Sequence, residues 1–260
     1  MTDLSIVLIS WRMRDMLERL LESIYTLTHG ITFEIIVIDN DSRDGTAEMV
    51  AKRFPDCRLI LNDVNKGVAP ARNQGLAIAL GRYVVTLDAD MVLQENALAR
   101  LVSFMDATPD AGIAGCKLVF EDGTVQPSGR RFPTPMAFLM RRLQAFEVFR
   151  NSRILHEHEM TGWDRNDTRE VDYLIGACQC IRREAMERVG LLDDHIFYGP
   201  EDIDYCVRMR RAGWNIYYVH DTRIVHYEQR ITRKKLFSKL SWVHLKAVAY
   251  LFWKYGGRLD

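Results

Sequence analysis

The chain opens with a continuous apolar run over residues 4–10, which is typical of a strand buried on both faces. Apolar residues then recur at helical spacing from Met13 to Ile24, and this order of strand and helix repeats twice. The predicted strands cover residues 4–10, 34–38, 59–61 and 83–87, and the predicted helices cover about 13–24, 46–54 and 70–80. Strands that alternate with helices favour right-handed crossovers and a mainly parallel sheet, so we expect an α/β fold.

Three polar segments directly follow predicted strands of this sheet. They are Ser10-Trp11, Asp39-Asn40-Asp41 and Asp88-Ala89-Asp90. The carboxyl ends of parallel strands share one edge of a sheet, and α/β proteins bind their ligands there. We therefore expect the three segments to converge on one crevice.

The hydrophobic pattern changes after Leu118, where turn signals interrupt it. Residues 121–123 predict a hairpin, and the polar stretch 151–168 predicts a loop or lid in which His156 and His158 are solvated. Helices over residues 184–189 and 202–212 and a strand over residues 216–219 follow. No linker separates independent domains.

Composition narrows the class of protein. The formal net charge of +0 over 260 residues gives no global argument for nucleic-acid binding. Five cysteines without metal-ligand spacing favour reduced thiols in a cytosolic protein. The N-terminus lacks the features of a signal peptide, and the uncharged stretch 247–253 is far shorter than the roughly 20 residues that span a bilayer. We expect a cytoplasmic protein without a transmembrane helix.

The Asp88-Ala89-Asp90 segment is a candidate metal site. In an extended backbone both carboxylates point to the same side, as shared coordination of Mg²⁺ or Mn²⁺ requires. His226 follows another apolar strand and offers a neutral imidazole as a further ligand beside Asp90. The alternative is that the aspartates begin a turn or cap a helix near Gln94, and that His226 is structural.

Residues 65–75 predict an anion site at the start of a helix. Asn65, Lys66 and Gly67 supply amides, a cation and a glycine turn, and Arg72 follows inside the helix. Helix N-terminal amides and Arg72 are suited to a diphosphate, and Gly67 permits close backbone approach. The alternative is a plain helix entry with Arg72 on a solvated face.

Asp39 and Asn40 are candidates for recognition of a nucleobase. The Asp39 carboxylate is suited to accept the imide N–H of uracil or thymine, while Asn40 shapes the turn that follows. An Asx turn that caps the next helix is the competing explanation for Asp41 and Ser42.

The acidic segment 199–204 predicts a general base. Asp202, with Glu201 as second choice, would remove the proton from an acceptor hydroxyl. Stabilisation of the helix dipole by acidic residues in the first turn is the alternative.

These motifs resemble, in their order, those of the family 2 glycosyltransferases, and in particular bacterial rhamnosyltransferase-like members that build surface polysaccharides. The resemblance covers most of the chain. It is carried by residues 37–42, 65–67 with 71–73, 87–90, Gly176-Ala177, 197–206 and Val225-His226.

The resemblance implies a GT-A fold and an inverting, non-processive, metal-dependent transfer of a sugar, such as rhamnose, from a UDP- or dTDP-sugar to a glycan or polyprenyl-linked acceptor. Residues 1–228 would form the catalytic domain, divided into a nucleotide-sugar half over 1–118 and an acceptor half over 119–228. The implied roles are nucleobase recognition for Asp39, diphosphate and metal binding for Asp88 and Asp90, completion of the metal site by His226, and the base for Asp202. We assign acceptor binding to Gly176, Ala177, Tyr198, Arg130 and Arg131, and donor binding also to Ser10, Trp11 and Ala89.

The basic C-terminal segment 229–260 predicts an amphipathic helix. Its cationic and aromatic residues suit an anionic membrane surface on the inner face of the cell membrane, and packing on the catalytic domain or in a homodimer is the alternative. Two other functions compete with sugar transfer, a sugar-phosphate nucleotidyltransferase and a silent nucleotide-sugar-binding module. Ser10-Trp11-Arg12 after the first strand is unlike the glycine-rich triphosphate loop that the former needs.

Overall fold

The computed structural model describes residues 2–143, 149, 152–228 and 239–259. The strands are β1 Leu4–Ser10, β2 Phe33–Asn40, β3 Arg58–Asn62, β4 Tyr83–Asp88, β5 Met91–Leu93, β6 Ala111–Val119, β7 Gly129–Arg130, β8 Arg169–Glu170, β9 Tyr173–Leu174, β10 Cys178–Arg182 and β11 Asn215–His226. The helices are α1 Arg14–Leu27, α2 Thr46–Arg53, α3 Val68–Ile78, α4 Ala97–Ala107, α5 Pro135–Leu143, α6 Arg153–Glu159, α7 Arg183–Val189, α8 Glu201–Arg211 and α9 Lys239–Lys254.

One central sheet runs through the described residues in the order β3-β2-β1-β4-β10-β6-β11-β5, with β8 paired to β11. The first four strands of this order are mutually parallel, as the alternating pattern predicts. β6 and β11 form a further parallel pair, and β10 lies between β4 and β6, antiparallel to both. β10 therefore joins the strands of the first half of the chain to those of the second half.

Helices cover both faces of the sheet because the side chains of each inner strand alternate between two cores. Leu4, Ile6 and Leu8 of β1 pack with α1, α2 and α4 on one face. Val7 packs with α3, α7 and α8 on the other face. The apolar run Ile6 to Ile9 of β1 follows from this burial on both sides, and the buried Ser5 hydroxyl is satisfied by a hydrogen bond of 2.6 Å to Glu34.

The register of the strands places the polar segments at one edge of the sheet. Ser10 pairs with Asp39 across β1 and β2, and Ile9 pairs with Asp88 across β1 and β4. The three segments that follow these strands therefore converge, as the sequence predicts.

The prediction for residues 151–168 is wrong in one respect, because part of this stretch is helix α6. Ser152 caps the helix by accepting a hydrogen bond from the Leu155 amide at 3.3 Å. His158 is buried rather than solvated, and its Nδ1 atom lies 2.8 Å from the Arg131 carbonyl oxygen. Burial lowers the pKa of this imidazole to about 3.

Helix α9 packs one face against the rest of the protein beside α8. Ala247 and Leu251 are buried, and Lys254 Nζ lies 2.6 Å from both Asp193 Oδ2 and Asp204 Oδ1. Tyr255 donates a further hydrogen bond of 2.8 Å to Asp204. Within the described ranges, no helix has both the length and the apolar character needed to cross a bilayer.

Candidate active site

Asp88, Asp90 and His226 form a candidate metal centre at the carboxyl edge of the sheet. Each offers one ligand atom, and these atoms all lie within 4.8 Å of one another. Asp88 ends β4, Asp90 precedes β5, and His226 ends β11, which pairs with β5 in an antiparallel register that places His226 opposite Met91. The Tyr227 amide also donates to the Asp90 carbonyl oxygen at 2.8 Å, which fixes the two segments together.

Gln126 orients the imidazole of His226. Its Oε1 atom lies 2.7 Å from His226 Nδ1, so Nδ1 carries the proton and Nε2 faces Asp90 Oδ1 at 3.4 Å. Burial alone lowers the pKa of His226, but the neighbouring Asp90 outweighs it and raises the pKa. Two carboxylates and an imidazole with a carbonyl-bound Nδ1–H are a ligand set that fits Mg²⁺ or Mn²⁺.

Arg72 connects the metal centre to the acidic helix α8. Its Nη2 atom donates to Asp88 Oδ1 at 2.5 Å and to the Gly176 carbonyl at 2.9 Å. Its Nη1 atom donates to Glu201 Oε1 at 3.3 Å. The side chain is buried on α3, although the sequence leaves open whether it faces solvent.

Glu201 and Asp202 begin α8 but have different surroundings. Glu201 is buried, and burial together with the adjacent Asp202 charge raises its pKa to about 7. Among the described residues, no group hydrogen-bonds its Oε2 atom. Asp202 is partly exposed and accepts hydrogen bonds from the Gly176 amide at 2.9 Å and from the Ile203 amide at 2.8 Å.

The crowded site leaves no room for a side chain at Gly176. A Cβ atom there would lie 2.9 Å from Arg72 Nη1 and 3.4 Å from the Asp202 Cβ atom. Its neighbour Ala177 is buried, and the Ala177 carbonyl accepts from the Asp88 amide at 3.1 Å. The segment 176–177 thus lies between the aspartates of the metal centre and the carboxylates of α8.

The side of the site where the sequence predicts a nucleotide, called the nucleotide side below, is built around Asn40. Its Nδ2 atom donates to Asn65 Oδ1 at 3.0 Å and to the Gly67 carbonyl at 3.1 Å. Its Oδ1 atom accepts from the Lys66 amide at 3.0 Å. Asn40 therefore holds the glycine turn in place through its side chain. Sequence reasoning anticipates its position in the site but not this role.

Asp39 is buried beside the turn that follows β2. Its Oδ1 atom accepts from the Ser42 amide at 3.0 Å. The turn contact just before helix α2 is made by Asp44, whose Oδ1 atom accepts from the Thr46 amide at 3.1 Å. Ser10 is fully buried, Ala89 is also buried, and Trp11 is exposed at the edge of the crevice. The described geometry places all four at the same end of the sheet.

The loop 197–200 joins the nucleotide side to the acidic helix. The Val68 amide donates to the Phe197 carbonyl at 2.6 Å, and Gly67, at φ +89°, leaves no room for a Cβ atom beside Phe197. On the other side of the loop, His244 of α9 has Nδ1 3.1 Å from the Gly199 carbonyl. Tyr198 lies between these contacts.

Arg130 and Arg131 differ in their surroundings. Arg130 is buried, pairs with Tyr173 across β7 and β9, and donates from Nε to the Pro127 carbonyl at 2.7 Å. Arg131 is exposed and forms an ion pair of 3.1 Å with Asp172. Of the two, Arg130 lies inside the protein beside the strand that leads to Gly176.

Three features of the site escape sequence reasoning. They are the Gln126 contact to His226, the Arg72 bridge between Asp88 and Glu201, and the His244 contact to the 197–200 loop. Each joins residues that are distant in the chain, and no local motif encodes such a pairing.

The chain is similar over almost its whole length to a bacterial glycosyltransferase. It is 26% identical to an N-acetylglucosaminyl-diphospho-decaprenol L-rhamnosyltransferase from Mycobacterium tuberculosis, over 99% of this chain and 87% of the relative.

Solved structures share the fold. TarS 1-349 from S. aureus, in complex with UDP, has a TM-score of 0.62 at 17% identity over 86% of this chain and 60% of that chain. A mannosyltransferase, PcManGT, from Pyrobaculum calidifontis, in complex with GDP-Man and Mn²⁺, has a TM-score of 0.62 at 22% identity. The match covers 96% of this chain and 66% of that chain. This chain thus spans about two thirds or less of these two structures. The likeness confirms the GT-A fold.

The family assignment rests on a profile match over most of the chain. The profile of Glycosyl transferase family 2 matches residues 5–190. These residues hold the segments that build the nucleotide side of the site, Asp88, Asp90 and Gly176-Ala177. The chain therefore belongs to glycosyltransferase family 2.

Proposed function

We propose that this protein is an inverting, non-processive glycosyltransferase of cell-surface polysaccharide synthesis. It moves a sugar from a UDP- or dTDP-sugar to a hydroxyl of a glycan or lipid-linked acceptor. The observation that carries the proposal is the placement of two carboxylate centres on either side of the 176–177 segment. One is the Asp88, Asp90 and His226 cluster, and the other is Asp202.

The metal cluster provides the site for the donor diphosphate. A bound Mg²⁺ or Mn²⁺ offsets the negative charge that develops on the departing nucleoside diphosphate. Asp90 and His226 are buried and face each other, so we assign them to the metal, together with Asp88. Mn²⁺ in the PcManGT complex supports this choice of cation.

The nucleoside is expected beside Asp39. Asn40 holds Asn65, Lys66 and Gly67 against the same edge, and the Lys66 and Gly67 amides already donate to Asn40 Oδ1 and Asn65 Oδ1. We assign contacts with the donor also to Ser10, Trp11, Arg72 and Ala89. UDP in the TarS complex and GDP-Man in the PcManGT complex support a nucleotide at this end of the fold.

Asp202 is the proposed base. Two backbone amides fix its carboxylate, and its partial exposure leaves it accessible to an acceptor hydroxyl. Glu201 is a poorer base because it is buried and paired with Arg72. A single base that activates the acceptor leads to direct displacement and inversion, without a covalent intermediate.

The acceptor is expected on the α8 side of the site, near Gly176, Ala177, Tyr198, Arg130 and Arg131. The mycobacterial relative, by its name, transfers L-rhamnose to a diphospho-decaprenol-linked sugar, which supports a lipid-linked acceptor and rhamnose as the sugar. A cytoplasmic protein bound peripherally to the inner face of the membrane would meet such an acceptor.

A donor screen tests the proposal. Uridine- and thymidine-diphosphate sugars are titrated into the protein with and without Mn²⁺, and binding and slow hydrolysis are measured. We expect at least one donor to bind tightly only with the metal and to be hydrolysed to the nucleoside diphosphate. Release of pyrophosphate from a nucleoside triphosphate and a sugar phosphate, or binding without any turnover, would contradict it.

A further inference from the structure

Helix α9 has a second face that the catalytic domain does not cover. Trp242, Lys246, Ala249 and Trp253 are all exposed, and their spacing of four, three and four residues places them on one stripe of the helix. The two tryptophans retain 59% and 78% of their accessible surface. Large aromatic side chains so exposed at both ends of a single stripe are a signal of an interaction surface.

The stripe lies in a strongly cationic part of the chain. Residues 229–260 contain eight of the 35 Lys and Arg residues but only one of the 35 Asp and Glu residues, Asp260. Helix α9 itself has no acidic residue. Because the whole chain is neutral, the remaining residues are correspondingly acidic, and the end of the chain is electrostatically distinct.

The other sides of α9 are anchored, so the stripe has a fixed orientation. Lys254 is held by Asp193 and by Asp204, and Asp204 is completely buried. On a neighbouring side, Phe138 of α5 contacts Phe252 edge-on at 5.8 Å between ring centroids. Met136 and Leu139 of α5 are exposed.

Helix α9 is also connected to the catalytic end of α8. His244, two residues after Trp242, contacts the carbonyl of Gly199, which lies just before Glu201 and Asp202. The Phe138 ring also lies 6.4 Å from the His244 ring. A surface that binds the stripe would therefore lie near the side of the site where the acceptor is expected.

We propose that the stripe of Trp242, Lys246 and Trp253 docks the protein on an anionic lipid surface. The indole rings enter the interfacial region, and Lys246 lies between them toward the lipid headgroups. The cationic charge of residues 229–260 is complementary to anionic headgroups, and the two exposed indole rings are suited to the interfacial region of a bilayer. The docking itself is independent of sugar transfer; only its use, to present a lipid-linked acceptor, rests on the proposed function.

Vesicle sedimentation of the full chain tests this surface without donor or acceptor. The protein is mixed with vesicles of phosphatidylcholine alone or of phosphatidylcholine with phosphatidylglycerol. The variants are Trp242→Ala with Trp253→Ala, and Lys246→Gln. The matched controls are Leu61→Ala with Leu80→Ala, which removes apolar side chains of 62% and 66% exposure elsewhere, and Lys52→Gln on α2.

We expect the wild type and both controls to bind the anionic vesicles. The double tryptophan variant should bind at least about tenfold more weakly, and Lys246→Gln about fivefold more weakly. Unchanged thermal unfolding of the variants would show that the loss is local. The proposal would be overturned if the wild type does not bind anionic vesicles or if the variants bind them as well as the wild type does.

Sedimentation velocity tests whether a second copy of this chain, and not a lipid surface, covers the stripe. A wild-type dimer that the tryptophan substitutions convert to a monomer, without an effect on vesicle binding, would assign the stripe to a second copy of this chain and overturn the proposal. If the wild type fails the donor screen but binds anionic vesicles, and the tryptophan variant does not bind them, the docking surface is supported while the proposed function is not. The two failures are therefore distinguishable.

Discussion

Arg72 and Glu201, 129 positions apart, form an ion pair with 3.3 Å between Nη1 and Oε1. The same guanidinium also bonds Asp88, so one buried side chain links the aspartates of the metal centre to the helix that begins with the proposed base. The candidate metal centre and the start of α8 are thereby held at a fixed separation.

Replacement of Arg72 with Lys tests this link. Lys retains the charge but lacks the planar fork, so it cannot donate to Asp88, Glu201 and Gly176 together. We expect kcat to fall by roughly tenfold or more while the fold survives, because small misplacement of reacting groups slows transfer steeply. Steady-state kinetics and circular dichroism provide the measurement. An unchanged kcat would show that the bridge does not position the site.

Asp202→Asn tests the base. The amide cannot accept the hydroxyl proton, so we expect transfer to fall by about 10² to 10⁴ while donor binding is retained. The matched change is Glu201→Gln, which removes the charge of the adjacent carboxylate and should reduce transfer less. Transfer rates and donor affinity are measured for both. A greater loss of transfer in Glu201→Gln than in Asp202→Asn would show that Glu201, and not Asp202, is the base.

Gln126→Leu tests the orientation of His226. Loss of the carbonyl that accepts from Nδ1 frees the imidazole to rotate, and such outer contacts change metal affinity by about 10 to 100-fold. Mn²⁺ titration by calorimetry, with nucleoside diphosphate present, should show weaker binding, and Asp90→Ala should show weaker binding still. Gln94→Leu, an exposed change just after β5, serves as the control. Equal Mn²⁺ affinity in the wild type and all three variants would show that this cluster does not bind the metal.

Stability should depend on pH through His158. The folded protein holds this imidazole neutral with a pKa of about 3, whereas the unfolded chain binds a proton near pH 6.5. The unfolded state therefore gains protons first as the pH falls, and stability is full above about pH 6.5 and declines below it. Between pH 7 and pH 5 the decline is about 2 kcal/mol.

Urea unfolding of wild type and His158→Asn measures this effect. The amide of Asn is suited to donate to the Arg131 carbonyl as Nδ1 does, but it does not titrate. The variant should lose less stability than wild type between pH 7 and pH 5. Parallel losses in the two proteins would show that other groups control the pH dependence.

The parallel half of the fold could be predicted because its signals are local. Each strand from β1 to β4 is a short apolar run that ends in a polar segment, and the register then places Ser10 beside Asp39 without further information. The second half of the fold is harder to predict from the sequence. β10 inserts antiparallel between β4 and β6, and a pairing between strands so far apart has no signature in either strand.

The candidate site divides in the same way. Asp39, Asp88, Asp90, Asp202 and His226 lie at element ends, where motifs and periodicity indicate them. The surroundings of Glu201 could not be predicted, because its burial depends on the packing of Gly176 and Arg72 from two other segments. The sequence predicts a solvated loop at His158 because polar neighbours conceal a short helix whose inner face is buried.

The proposed metal centre draws its third ligand from the last strand of the sheet. A nascent chain released before residue 226 carries Asp88 and Asp90 but lacks the imidazole that completes the set. The three ligand atoms come together only where β11 pairs with β5. The geometry of this cluster is therefore a property of the assembled sheet and not of the Asp88-Ala89-Asp90 segment alone.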